Sequence, residues 1–160
     1  MKSGRPKRRA IPLEIMLARI CREAGATVRT NVRLRDMNIQ VNAKDERRLE
    51  VLAMGLPSRS GAQVAVDVTL RSALDTHGIA KPRAANDDAI VADSARKDKE
   101  GTYPELLESG RCQLVVLALE VGGRFSTESC KFIEEPAFAR AARLRSAHVL
   151  ASRGSVSGRA

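Results

Sequence analysis

The sequence predicts an α/β fold in which a mixed sheet is covered by helices on both faces. Two runs rich in Val, Leu and Ala flank a Gly/Pro/Ser turn within residues 47–70, which is typical of a β-hairpin. A nearly continuous apolar run at 112–119 is typical of a central strand that is covered on both sides. Apolar residues at helical spacing in other segments predict the helices, and the predicted order of elements is helix-strand-strand-strand-helix-strand-helix.

Composition narrows the class of protein. The 160 residues suffice for one domain with a sizeable core, and 43% of them are apolar. With 28 Lys and Arg against 19 Asp and Glu, the net charge of +9 favours a polyanionic partner such as nucleic acid. Three widely spaced Cys and two His show no zinc spacing, so we expect a reduced intracellular setting. The absence of a long apolar run predicts no membrane span.

Charge and helical spacing define the first elements. Residues 1–10 are basic and contain Gly and Pro, so we expect a disordered arm that serves as a nuclear address or a phosphate-binding tail. A helix then starts near Pro12 and stops at Gly25. Its apolar stripe comprises Leu13, Met16, Leu17, Ile20 and Ala24. Residues 26–34 are predicted to form a short strand.

The elements after the hairpin follow from breakers and periodicity. A loop over 71–85 leads to a helix that starts near Asn86 or Asp87 and is interrupted by Gly101 or Pro104. Beyond the apolar strand, a second helix covers roughly 127–144 and is capped or broken near Pro136. The predicted domain therefore spans 11–145, and a disordered tail occupies 146–160.

The hairpin register can be derived from side-chain alternation. If Glu50 lies opposite Asp67, every other residue of both strands forms one apolar face. That face comprises Leu49, Val51 and Ala53 against Val68, Val66 and Val64, and the same register pairs Leu52 with Ala65 and Met54 with Gln63. A slip of one residue would place Glu50 or Asp67 in the apolar layer, so the register is well specified.

The predicted carboxylate pair points to a divalent metal. Opposed side chains on one sheet face have Cβ atoms roughly 5 Å apart, and two carboxylates that close repel unless they share a proton or a cation. We therefore expect Glu50 and Asp67 to bind Mg²⁺ or Mn²⁺ on the solvated face of the hairpin. Glu14 and Glu23 lie off the stripe of the first helix and are interpreted as surface charges.

Three segments carry a resemblance to a known family. At VAVDVTL, ARKDKEGTYPEL and LVVLALEVGGRFS, the chain resembles the restriction-like endonuclease domain that follows the reverse transcriptase in some non-LTR retrotransposons. The resemblance extends over 15–142. The matching positions are Leu49-Glu50 in place of a Pro-Asp motif, Asp67-Val68-Thr69, Lys99 and Tyr103 at the family's spacing, and Gly122-Gly123-Arg124. Glu replaces the first Asp, and sixteen residues separate Glu50 from Asp67, more than the family's usual gap.

The resemblance implies a restriction-endonuclease-like fold and a metal-dependent endonuclease that nicks one DNA strand to prime reverse transcription. A reverse transcriptase, separate or missing from this chain, is the implied partner. Thr69 occupies the position at which many such nucleases have a Lys, so Lys99 is expected to supply the catalytic cation, with Lys97 as the second choice. Tyr103 is expected to orient Lys99, to contact phosphate or to pack in the core. Lys97 and Arg124 are candidate contacts to nucleic acid.

Two further interpretations are compatible with the sequence. The chain could be a catalytically dead, truncated remnant that binds nucleic acid by charge alone. It could also be an unrelated α/β interaction domain in which Glu50 and Asp67 are merely exposed on a hairpin. Both predict that divalent metals give no stabilisation that depends on these two carboxylates.

Overall fold

The computed structural model describes the backbone of residues 5–84 and 89–154 and the side chains of residues 10–84 and 90–146. The helices in these ranges are α1 (Arg5–Glu23), α2 (Ala89–Thr102), α3 (Pro104–Ser109) and α4 (Thr127–Gly154). The strands are β1 (Thr27–Arg33), β2 (Arg48–Met54), β3 (Gln63–Arg71) and β4 (Cys112–Glu120). The predicted mixed α/β class is confirmed.

The strands form one mixed sheet in the order β1-β2-β3-β4. β1, β2 and β3 are antiparallel neighbours, whereas β4 runs parallel to β3 from Gln63 opposite Cys112 to Arg71 opposite Glu120. Parallel neighbours need a crossover connection, and α2 and α3 lie within it. β4 was predicted to be central, and this is wrong: it lies at the edge of the sheet. Its apolar sequence reflects cover on both faces, by α2 and α3 on one side and α4 on the other.

The predicted hairpin register is confirmed at three pairs, but the predicted apolar face is wrong at Leu49, which packs with Leu52 and Ala65 in the cluster on the other face. Val51 lies opposite Val66, Leu52 opposite Ala65 and Ala53 opposite Val64. One further step along this register places Glu50 opposite Asp67. The alternation of apolar and polar residues is therefore sufficient to align the two strands, although the turn between them contains a 3-10 segment and two left-handed residues, Ser60 and Gly61.

One face of the sheet forms the main core with α1 and α4. Valines and Leu117 of the sheet pack against α1 and against Phe132 of α4. The predicted stripe of α1 is wrong at Met16, which is exposed, whereas Ala18 and Cys21 are buried. Buried members include Leu17, Val51, Val64, Val66, Leu117 and Phe132. Burial of apolar surface is the main contribution to the stability of this core. Because the chain has few aromatic residues, most of that surface is aliphatic.

The opposite face is covered by α2 and α3, and this corrects the expected solvated face. Tyr103 and Leu106 pack against Leu52 and Ala65. Asp67 lies on this same face and has no exposed surface. The Arg47 guanidinium holds the crossover in place, because it bonds to Glu105 of α3 at 2.6 Å and to the Thr102 carbonyl oxygen.

Several element ends differ from their predictions. α1 begins at Arg5, inside the span assigned to a disordered arm, and Pro12 lies within the helix. α4 continues through Pro136 to Gly154, because a helix can pass a proline at the loss of one backbone hydrogen bond. Pro104 starts α3, a separate short helix that was not predicted. The predicted start of α2 at Asn86 or Asp87, and the tail from residue 155, lie outside the described residues.

The core makes a direct prediction for α4. Phe132 is 1% exposed, whereas Phe138 on the same helix is 70% exposed. We expect Phe132→Ala to lower the free energy of unfolding by about 3–5 kcal/mol, because it removes buried aromatic surface and leaves a cavity. Phe138→Ala should change it by less than about 0.5 kcal/mol. Urea denaturation of both variants checks this, and equal effects would contradict the packing described for α4.

Candidate active site

An open cavity of about 870 Å³ lies at the end of the sheet where β2 begins and β3 ends. It is lined by residues from α1, β1, β2, β3 and α2. The polar lining used below comprises Glu14, Asn31, Arg48, Glu50, Lys99 and Tyr103. Glu50 lines the cavity directly, whereas Asp67 does not. The carboxylate of Asp67 is instead hydrogen-bonded by three side chains that line the cavity, those of Thr69, Lys99 and Tyr103.

Glu50 is the incompletely satisfied carboxylate of the site. Its Oε2 atom is buried and has no hydrogen-bond partner among the described residues. Burial, followed by the negative charge of Asp67, raises the pKa of Glu50 to about 7, although the Lys99 ammonium acts in the opposite direction. Near neutral pH the side chain therefore lies close to its titration midpoint. A buried oxygen without a donor is where a cation or a proton is most strongly stabilised.

Asp67 is fully buried and fully bonded. Lys99 Nζ lies 2.7 Å from Oδ1 and 2.8 Å from Oδ2, so the ammonium bridges both carboxylate oxygens. The Thr69 hydroxyl donates to Oδ1 at 3.0 Å, and the Tyr103 hydroxyl lies 3.1 Å from Oδ2. These bonds offset the cost of removing the carboxylate from water.

Lys99 approaches the pair as the sequence predicted. It extends from the last turn of α2, and its side chain is 23% exposed. Lys97, the second choice for the cation, is exposed and does not line the cavity. Residues two apart on a helix point in different directions, so α2 can present only one of these lysines to Asp67.

Tyr103 belongs to the floor of the site. It is 4% exposed, and its hydroxyl lies 2.9 Å from the Arg48 carbonyl oxygen and 3.1 Å from Asp67 Oδ2. Burial, followed by the charges of Asp67 and Glu50, raises the pKa of Tyr103 far above its ordinary value. The phenol therefore keeps its proton, which the Arg48 carbonyl oxygen and Asp67 Oδ2 share as acceptors. This shared bond places Asp67 next to the start of β2.

Arg124 lies away from this cavity. Its guanidinium is 3.7 Å from Glu120 at the end of β4, and it lines a separate, much smaller pocket. Of the predicted site residues, the structure thus brings together Glu50, Asp67, Lys99 and Tyr103. Lys97 and Arg124 remain predictions as contacts to nucleic acid outside the cavity.

Two cavity residues were not identified from the sequence. Glu14 was interpreted as a surface charge, yet it lines the cavity, and burial and the charge of Asp67 raise its pKa. No local signal marks it, because its position depends on how α1 crosses the sheet. Asn31 lies within β1 in the left-handed conformation, with φ of +53°. An Asn within TVRTNVR, a run otherwise suited to a strand, is the signal that could have indicated it.

Comparisons with known proteins do not assign the chain. No model of a known protein family matches it, and no curated protein matches it significantly. In residues 5–84 and 89–154, no helix combines the length and the apolar character needed to cross a membrane. The side chains of the described residues contain no group of three or more His, Cys, Asp or Glu suited to hold a metal. A site built on two carboxylates falls below that count.

The raised pKa of Glu50 predicts a pH-dependent stability. The folded protein retains the Glu50 proton between its ordinary pKa of 4.5 and about 7, whereas the unfolded chain loses it. Stability therefore falls as pH rises through that window and levels off above it. Glu50→Gln should remove this contribution, so in chelator the variant should exceed the wild type in stability more at pH 8 than at pH 4.5. Urea denaturation at both pH values checks this.

Glu108→Gln on the exposed surface of α3 is the matched control. Its difference from the wild type should not change with pH. An equal stability difference for Glu50→Gln at the two pH values would refute the burial argument.

Proposed function

We propose that this chain is a metal-dependent phosphodiester hydrolase that nicks DNA, a restriction-like endonuclease domain derived from a non-LTR retrotransposon. One observation carries the proposal: at an open cavity, the charge of Asp67 acts on Glu50 of the adjoining strand, and the Lys99 ammonium lies on Asp67. An acidic pair with a cation from a following helix is the donor set that metal-assisted phosphodiester hydrolysis requires.

Glu50 and Asp67 would hold the metal. Mg²⁺ in proteins commonly takes one or two carboxylates, together with waters and substrate phosphate oxygens. The unpartnered Oε2 of Glu50 fits this requirement. When bound, Mg²⁺ or Mn²⁺ orients the attacking water, neutralises charge on the phosphoryl group and stabilises the leaving oxygen.

Lys99 has to share Asp67 with the metal. A carboxylate offers roughly four lone-pair sites, and the donors from Lys99, Thr69 and Tyr103 occupy those of Asp67. A metal ion held by Asp67 would therefore have to displace the ammonium from at least one oxygen. Because Lys99 lines the cavity, its ammonium could then stabilise the charge on a bound phosphate. Without metal, the same lysine keeps Asp67 neutralised.

Charge and element order support a DNA substrate and the family proposed. The net charge of +9 and the exposed Arg48 at the cavity favour a polyanion. The acidic residues occupy an antiparallel hairpin that is followed, through a helical crossover, by a parallel strand. This is the order that the resemblance implies, and a reverse transcriptase that extends the nicked strand is the partner proposed with it.

A second candidate function is nucleic-acid binding or protein interaction without catalysis. The observation that favours it is the complete bonding of Asp67, because a buried ion pair with every acceptor site satisfied also suits a purely structural role. The two functions differ in their response to metal, which the following experiments measure.

The first experiment is nicking of supercoiled plasmid in Mg²⁺, in Mn²⁺ and in chelator. We expect nicking by the wild type only with metal, and nicking by Glu50→Gln at background level, because the amide carries no charge to hold a cation. The same variant should be more stable than the wild type near pH 8, so its inactivity cannot result from unfolding. Nicking by Glu50→Gln at the wild-type rate would overturn the metal assignment.

The second experiment separates the two parts attributed to Lys99. Lys99→Met keeps the length of the side chain and removes its charge. We expect nicking to fall by roughly two to three orders of magnitude, the scale of losing one preorganised charge-stabilising group. Stabilisation by Mg²⁺ or Mn²⁺ in thermal melting should instead increase, because Asp67 has lost its competing cation.

Lys97→Met on the same helix is the matched control, and it should change neither quantity appreciably. If Lys99→Met reduced the metal-dependent stabilisation instead of increasing it, competition for Asp67 would be disproved. Catalysis by Lys99 would be disproved if nicking stayed at the wild-type rate.

A further inference from the structure

The register between β1 and β2 places Asn31 opposite Glu50. The flanking pairs, Thr30 with Val51 and Val32 with Leu49, are regular neighbours in the antiparallel register. The same register assigns Asn31 to Glu50, yet this pair is missing from the ladder. The strand therefore deviates at the one position that faces the candidate metal ligand.

The backbone of Asn31 is in a conformation that strands rarely contain. Its φ of +53° lies in the left-handed region, which is uncommon for residues other than Gly and is most accessible to Asn and Asp. Such conformations persist where the surroundings fix them and are concentrated at functional sites. Here the regular pairs on both sides hold the residue in place.

Internal contacts do not account for the Asn31 side chain. It is exposed, it lines the cavity, and none of the described residues forms a hydrogen bond with its carboxamide. Ser60 offers a contrast: it has nearly the same φ, +50°, but lies in the turn between β2 and β3, where left-handed residues are ordinary. The turn explains Ser60, and no turn explains Asn31.

We propose that the Asn31 carboxamide is a substrate-binding group that donates a hydrogen bond to the DNA backbone beside the phosphate held at Glu50. This rests on the proposed function. Asn is a common donor to phosphate and sugar oxygens, and it is neutral, so it adds no charge next to the metal ligands. Arg48 lies two residues before Glu50 on β2 and also lines the cavity, so both strands present a backbone-binding group at the same entrance.

Two variants test Asn31, and both suit its backbone. Asn31→Gly removes the side chain and adopts positive φ most readily, whereas Asn31→Asp keeps the shape but replaces the neutral amide donor with a negatively charged acceptor. Ser60→Gly is the matched control, because it relaxes the same conformation away from the cavity. The probe is a fluorescein-labelled DNA duplex, measured by anisotropy in Ca²⁺, together with nicking kinetics in Mg²⁺.

We expect Asn31→Gly to bind the duplex roughly tenfold more weakly, the scale of one lost hydrogen bond to a charged group. Asn31→Asp should bind more weakly still, because its charge repels phosphate. For Asn31→Gly, KM for nicking should rise in parallel, and kcat should change much less. Because Asn31 is neutral, Asn31→Gly should keep the slope of affinity against salt concentration, whereas Arg48→Ala should lower that slope by about one phosphate contact. Ser60→Gly should match the wild type in affinity, KM and kcat.

The outcomes separate this inference from the proposed function. If the wild type does not nick plasmid with either metal, the endonuclease assignment fails. If the wild type nicks and both Asn31 variants bind and nick as it does, Asn31 is only a structural residue of β1 and the inference is overturned. Loss of duplex binding with unchanged stabilisation by Mg²⁺ in thermal melting supports a contact to substrate rather than to metal.

Discussion

The bonding of one buried carboxylate links most of the molecule. Asp67 receives bonds from its own strand through Thr69, from α2 through Lys99 and from the start of α3 through Tyr103, whose hydroxyl also reaches the β2 backbone. A buried charge without these partners would be strongly unfavourable, so the crossover can lie over this face of the sheet only in the arrangement that supplies them. The core on the opposite face has no comparable directional constraint.

The same bonding explains why the site is open on one side only. The partners of Asp67 come from β3 and the crossover, whereas the second oxygen of Glu50 lacks a partner among the described residues. The Glu50 side chain also lines the cavity. The protein therefore neutralises one carboxylate internally and leaves the other dependent on a proton or a bound cation, which is why the pKa of Glu50 is raised to about 7.

The sequence-based predictions were correct where the alternation of apolar and polar side chains along a strand determines the structure. Alternation predicted the register that aligns β2 with β3, whereas the approach of Lys99 to Asp67 was expected from the family resemblance and not from periodicity. The predictions failed where the answer depends on how elements pack. Asp67 was expected in solvent because nothing in VAVDVTL shows that α2 and α3 return over it. β4 was predicted as central because cover on both faces gives the same apolar run at an edge as in the middle of a sheet.

The position of β4 affects the behaviour of the chain in concentrated solution. The edge formed by β1 carries Arg29, Arg33 and the irregular Asn31, features that discourage another strand from pairing with it. β4 carries no charge between Cys112 and Leu119. Among residues 5–84 and 89–154, the bridge between Leu119 and Phe125 is the backbone pairing on its outer edge. When α4 or the crossover detaches, self-association should therefore begin along β4 and not along β1.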